Sequence, residues 1–171
     1  GKVKAYEPVP GDFLIKKTGM EIISRSIDLS GAEIGLEIGS GSGYNAALLS
    51  CSVKRLVATD LPDFNVDSHS LGISVAKDLL SGLDVKNVYL ASCSGEKLPF
   101  ADESFDFVFS SSVLEHIPDK EAALKEMMRV VKPSGVVIFV IPTAVQSVCA
   151  FFHLYLYIIK RIMDVVAVKT F

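Results

Sequence analysis

Between residues 34 and 50 a short apolar run, Ile34-Gly-Leu-Glu-Ile-Gly, ends in the glycine cluster Gly39-Ser-Gly-Ser-Gly43 and passes straight into a helical segment, YNAALLS. A strand that empties into glycine and then into a helix is the opening of a strand–helix–strand unit, because parallel neighbours need a crossover. The alternation continues down the chain. Arg55–Asp60 reads as a second short strand ending in an acid, residues 71–80 (LGISVAKDLL) as an amphipathic helix, and residues 87–91 (NVYLA) as a third strand. Phe105–Ser110 is a fourth strand and Lys120–Val131 a charged amphipathic helix. Lys132-Pro-Ser-Gly135 breaks that helix before a fifth strand, residues 136–141. Residues 13–29 carry apolar positions at helical spacing, interrupted at Gly19.

Short apolar strands alternating with helices predict parallel strands buried on both faces. The expected fold class is therefore α/β: a doubly wound, mostly parallel sheet with helices on both faces, built by right-handed crossovers. Ligands of such sheets bind beyond the carboxyl ends of the strands. That rule directs attention to Gly39–Gly43, Asp60, residues 92–96 and residues 110–116. Backbone N–H groups at the glycine turn are expected to face the crevice and hold an anionic group, a phosphate or a carboxylate. The competing reading is a tight turn with no ligand. Asp60 is placed to accept bonds from two ribose hydroxyls, or simply to start a turn before Leu61-Pro62; joined to the glycine loop, the first reading prevails.

The combination of Glu37-Ile-Gly-Ser-Gly-Ser-Gly43, Asp60, Gly95-Glu-Lys-Leu-Pro-Phe100, the run from Phe105 to Ile117 (FDFVFSSSVLEHI) and Val131-Lys-Pro-Ser-Gly135 resembles class I S-adenosylmethionine-dependent methyltransferases, in particular their broad type 11 small-molecule branch. The resemblance covers residues 30–141 and implies a Rossmann-like methyltransferase fold. It implies that Gly39, Ser40, Gly41 and Gly43 carry the methionine part of S-adenosylmethionine, with Glu37 organising its amino end. Asp60 would bind the ribose, Leu61 would lie against the adenine, Ser94, Gly95 and Glu96 would reach the adenine edge, and Ser110 and Ser111 would close the methionine side. The family usually has Asp where this chain has Ser94, which implies lower affinity rather than lost binding. The product would be S-adenosylhomocysteine.

The reaction so implied is in-line attack on a sulfonium methyl, accelerated chiefly by holding donor and acceptor at near-attack distance, an effect that can supply about 7–11 kcal/mol. A general base helps a hydroxyl acceptor, whereas an amine or carbanion can react without one. His116 is the candidate base, weighed against a packing or capping role, while Glu115 reads as structural. His69 and His153 have no supporting constellation, and no metal-ligand set appears. The acceptor is read as a small molecule or a lipid-like one. A catalytically silent S-adenosylmethionine-binding or regulatory subunit is the alternative, motivated by Ser94 and the abbreviated C-terminus. A nicotinamide-dependent oxidoreductase is disfavoured by Tyr44, which stands where G-x-G-x-x-G needs its last glycine.

Composition narrows the partners. Half of the 171 residues are hydrophobic, which excludes a disordered chain. With 17 basic and 20 acidic side chains and a net charge of −3, the basic face that nucleic acid requires is not expected. Three widely spaced cysteines, Cys51, Cys93 and Cys149, form no disulfide framework and predict a reducing, cytoplasmic address. The polar opening Gly1–Pro8 has no apolar region of the signal-peptide kind.

One domain is expected, in three parts: an N-terminal helical lid segment (1–30), a cofactor-binding α/β core (31–142), and an apolar C-terminal helix with a last strand (143–171). The uncharged stretch from Val136 to Ile159 divides between the fifth strand and residues 144–159, short for a membrane span of ~20 residues. The latter segment is read as a core helix, as a membrane-surface or lid helix that admits a lipid-like acceptor, or as a homodimer interface exposed because the sheet is incomplete. Asp164–Val168 is the candidate sixth strand, and no residues are left for a seventh.

Overall fold

A computed structural model describes residues 17, 19–23, 25, 27–62, 64–66 and 69–141. Five strands form one sheet: β1 (Ile34–Ile38), β2 (Arg55–Asp60), β5 (Val88–Ser92), β6 (Phe105–Ser111) and β7 (Val131–Val140). Their spatial order is β5-β2-β1-β6-β7, and every pairing in the sheet is parallel. The helices α1 (Tyr44–Leu49), α2 (Ile73–Gly82) and α3 (Lys120–Val130) lie in the β1–β2, β2–β5 and β6–β7 connections, while residues 93–104 cross from β5 to β6 without a helix. A small antiparallel hairpin, β3 (Phe64–Val66) and β4 (His69–Leu71), precedes α2.

The two faces of the sheet are buried by different helices, as the alternation of side chains along a strand requires. On one face Ala46 and Leu49 of α1 and Leu80 of α2 pack with Leu56, Ala58, Phe107, Phe109 and Ile138, and Ile23 of the N-terminal segment joins them. On the other, Met127 and Val130 of α3 pack with Leu36, Ile38 and Val108. Leu36, Leu56 and Phe107 are wholly buried, each contributing about 1.5–3 kcal/mol by its removal from water. The doubly wound sheet expected above, with helices on both faces, is the sheet observed.

Glycine in the middle of β1 has a packing cause. Gly35 pairs with Phe107 across β1 and β6, and a Cβ at residue 35 would lie 2.2 Å from Cζ of that ring. The amino end of β1 is fixed by Asp106, whose Oδ2 accepts from the N–H groups of Glu33 (2.8 Å) and Ile34 (2.9 Å). Burial alone would raise the Asp106 carboxyl, but the Lys132 ammonium and these two amides outweigh it and hold it below its ordinary value.

The fifth strand of the sheet corrects the sequence reading. It begins at Val131 rather than Val136, so residues 132–135 belong to the strand instead of to a break. Phe105 pairs with Val131 and Phe107 with Val136, which places a bulge in the register. Lys132 anchors the bulge by a 2.6 Å bond to Asp106 Oδ1, and Gly135 lies so close that a Cβ there would sit 2.6 Å from the Asp106 carbonyl oxygen. The β3–β4 hairpin was also not expected. The readings placed on residues 143–171 lie outside the described residues. Among the described residues no helix is long and apolar enough to cross a membrane.

Candidate functional site

Because all five strands are parallel, their carboxyl ends share one edge, and the predicted site residues follow those ends: Gly39–Gly43 after β1, Asp60 and Leu61 at β2, Ser94–Glu96 after β5, and Ser110–Ser111 at β6. β1 lies between β2 and β6. The glycine loop is thereby flanked by the acid on one side and the two serines on the other.

The loop needs its glycines for three separate reasons. Gly39, Gly41 and Gly43 have φ of 75°, 51° and 79°, values that side chains with a Cβ rarely adopt. A Cβ at Gly39 would also meet Val113 Cγ2 at 2.2 Å, and one at Gly43 would meet Ala76 Cα of α2 at 2.9 Å. At Gly41 nothing lies within 4 Å, so this residue presents bare backbone to open space.

The hydrogen bonds correct one expectation. Gly39 and Ser40 both donate to the Thr59 carbonyl (2.8 and 2.9 Å), Gly43 donates to Ser40 O (2.8 Å), and Gly41 donates to Asp60 Oδ2 (2.5 Å). Four N–H groups that were expected to face the crevice are thus held by protein acceptors. They offer no cradle for a phosphate. What the edge presents instead is acidic: Asp60, the fully buried Glu37 and Glu96. The second oxygen of Asp60 accepts from Leu61 N–H at 2.7 Å, and a carboxylate with one amide on each oxygen retains two lone pairs for further donors. Leu61 itself is 49% exposed at the tip of β2.

Two hydroxyls at this edge have no partner among the described residues. Ser40 Oγ and Ser110 Oγ are buried without a hydrogen bond, a costly condition for polar atoms. Both were singled out from sequence. Ser94 and Glu96 are engaged with each other and with the protein: Ser94 Oγ donates to Glu96 Oε2 (3.2 Å) and accepts from Glu96 N–H (3.2 Å), and Glu96 Oε1 accepts from Asp119 N–H (2.8 Å). Cys93, half-buried beside them, has its thiol pushed up by burial, with the Asp60 charge acting in the same direction, and packs as a neutral group.

His116 lies in a single 3-10 turn, Leu114–His116, is exposed, and donates its N–H to Val113 O at 2.8 Å. The turn is joined to the glycine loop by Val113 over Gly39 and to the sheet by Ser112 N–H, which donates to Val140 O at 2.8 Å. Ser112 has φ 55°, a strained value for a residue other than glycine. Ser112 and Val113 lie within the span 110–116 singled out from sequence, but no role was read for either, and Thr59 was missed. Their roles come from long-range contacts that one sequence does not display. Two clefts of about 580 Å³ lie elsewhere, one between the end of α3 and the start of β7, the other beneath Ile23 and Val53, and neither touches these residues. Among the described residues no group of three or more His, Cys, Asp or Glu is placed to hold a metal.

The methyltransferase domain family model matches residues 36–139, a span that contains the glycine loop, Asp60 and the serines of β6. The chain belongs to the class I S-adenosylmethionine-dependent methyltransferases. It is 37% identical over 113 residues to the ubiquinone/menaquinone biosynthesis C-methyltransferase UbiE of Vibrio vulnificus, a match covering 64% of this chain and 42% of that protein. The UbiE of Xanthomonas oryzae is 39% identical over 102 residues, covering 58% and 38%. The chain thus spans about two fifths of the length of these relatives. Among solved structures, YcgJ of Bacillus subtilis shares the fold with a TM-score of 0.63 at 24% identity, over 71% of this chain and 50% of that one. Phosphoethanolamine N-methyltransferase 2 of Haemonchus contortus, crystallised with S-adenosyl-L-methionine, matches with a TM-score of 0.60 and 25% identity over 71% of this chain and 27% of that one.

Proposed function

We propose that this chain transfers a methyl group from S-adenosylmethionine to a small-molecule acceptor. The observation that carries the reading is the chemistry of the strand edge: the N–H groups of Gly39, Ser40, Gly41 and Gly43 are taken by protein acceptors, Asp60 keeps two lone pairs for further donors, and the buried hydroxyls of Ser40 and Ser110 have no hydrogen-bond partner among the described residues. Such an edge suits a cation with hydroxyl and ammonium donors better than a phosphate.

In this reading Asp60 accepts the ribose hydroxyls with the lone pairs its two amides leave open. The exposed face of Leu61 covers the adenine, and residues 94–96 line the adenine edge. Glu37 attracts the ammonium end, Gly41 lets backbone approach the methionine chain, and Ser40 and Ser110 bond to it, with Ser111 beside them. When bound, S-adenosylmethionine supplies an electrophilic methyl on a positively charged sulfur. The protein then has to hold the acceptor in line and keep water out. His116, exposed in the turn after β6, takes a proton if the acceptor is a hydroxyl. The names of the relatives span a carbon acceptor of ubiquinone and menaquinone biosynthesis and the nitrogen of phosphoethanolamine. Together they support a small or lipid-like acceptor.

Isothermal titration with S-adenosylmethionine and with S-adenosylhomocysteine tests the reading. Both are expected to bind the chain, and Asp60→Ala is expected to remove the heat while leaving the fold intact. Labelled S-adenosylmethionine incubated with small-molecule extracts, followed by mass identification of the product, then identifies the acceptor. Absence of heat with either compound would refute the proposal.

A further inference from the structure

The N-terminus of α3 is capped from two places. Asp119 is its N-cap, and Asp119 Oδ1 accepts from the N–H of Ala122 at 3.0 Å. In a complete capping box the third helical residue is Glu or Gln and reaches back to the N–H of the N-cap. Here that residue is Ala122, which has no such group. The missing half comes from a distant segment: Glu96 Oε1 accepts from Asp119 N–H at 2.8 Å, across 23 positions of sequence. The other oxygen of Glu96 accepts from Ser94 Oγ, and Gly95 between them packs so closely that a Cβ would lie 3.2 Å from Ile117 Cδ1 and 3.1 Å from Ile38 Cγ2. The adenine-side loop and the turn leading into α3 are therefore joined by a charge-assisted bond and by an apolar contact. That same turn is joined to the glycine loop through Val113 and Gly39.

We propose that Glu96 is a positioning residue: its carboxylate completes the cap of α3 from the adenine-side loop and so fixes the turn 112–119, which carries His116, relative to the bound cofactor. The inference rests on the cofactor reading above and goes beyond it, since it gives the Glu96 carboxylate at the adenine edge the further task of linking the two halves of the site. Filling the adenine side then tightens the acceptor side, because both hang on one carboxylate. Gln at residue 96 keeps an oxygen acceptor and preserves the link; Ala removes it.

The experiment measures amide hydrogen exchange over residues 112–119 with and without S-adenosylhomocysteine, alongside calorimetric affinity. The wild-type chain is expected to gain protection there on binding. Glu96→Ala is expected to bind about tenfold more weakly, because binding must then order a turn that the carboxylate no longer holds in place, and to lose the added protection, whereas Glu96→Gln retains it. The double variant Glu96→Ala with Ala122→Glu restores a local capping box and distinguishes helix capping from linkage. It should recover thermal stability without recovering ligand-dependent protection. Full recovery of protection in that double variant, or unchanged protection in Glu96→Ala that still binds, would overturn the inference alone. Failure of the wild-type chain to bind S-adenosylhomocysteine would overturn the cofactor reading and this inference together.

Discussion

Val113→Ala is expected to destabilise the wild-type chain yet stabilise a chain that carries Gly39→Ala. The reversal follows from the contact between the two residues. An alanine at residue 39 must hold φ near 75°, at a cost of about 1–2 kcal/mol. Its methyl would also lie 2.2 Å from Val113 Cγ2 and 2.8 Å from Cγ1, an overpacking that costs about 1–3 kcal/mol more. Gly39→Ala alone should therefore lose about 2–5 kcal/mol. Val113→Ala alone removes two half-buried methyl groups, about 1–2 kcal/mol. In combination the two clashing carbons are gone. The backbone penalty stays, together with a tight contact at 3.0 Å to the Val113 Cβ that remains. The double variant should then be more stable than Gly39→Ala by up to about 1 kcal/mol, where simple addition would make it less stable by about 1–2 kcal/mol. Urea denaturation of the four proteins, analysed by linear extrapolation, reads the cycle directly. If Val113→Ala costs the same in both backgrounds, the turn after β6 does not rest on the glycine loop as described.

Gly41→Ala separates stability from binding: with open space around its Cβ, it should lose only the ~1–2 kcal/mol of its positive φ, while S-adenosylhomocysteine affinity by titration falls more than tenfold. Unchanged affinity in a folded Gly41→Ala would argue that the space above Gly41 is not the ligand's. Arg129 holds the Glu126 carboxyl down to about 2 by hydrogen bonding it, against an ordinary 4.5. That contribution is complete above pH 4.5 and should be lost as the pH drops toward 2, and Arg129→Ala should flatten the pH dependence of the urea midpoint in that interval. His116→Ala should lower turnover without changing cofactor affinity if the acceptor is a hydroxyl, and should leave turnover intact for an amine or carbon acceptor; a loss of cofactor binding would place His116 elsewhere.

The strand ends were legible because parallel sheets need continuous apolar runs, and β2 was read to the residue, Arg55–Asp60. The start of β7 was not, since Lys132-Pro-Ser-Gly135 carries the composition of a break and only Asp106, 26 positions upstream of Lys132, shows why it stays in the sheet. At the site, residue types pointed to Asp60 and the glycines. The destination of the loop amides was misread: those of Gly39, Ser40 and Gly41 go to Thr59 O and Asp60 Oδ2 on another strand, and that of Gly43 to Ser40 O within the loop. Glu96 shows the same limit: the family resemblance implies the adenine edge, and nothing in the sequence shows that its carboxylate bonds to a residue 23 positions away.

The ring of Phe107 lying over Gly35 makes these two positions a single unit of variation. A larger residue at 35 can be accommodated only where 107 has shrunk, and a smaller residue at 107 leaves a hollow that only a bulkier 35 can fill. Across homologous chains the pair should drift together or stay still. Any scheme that redesigns this sheet one position at a time will find both of them immovable.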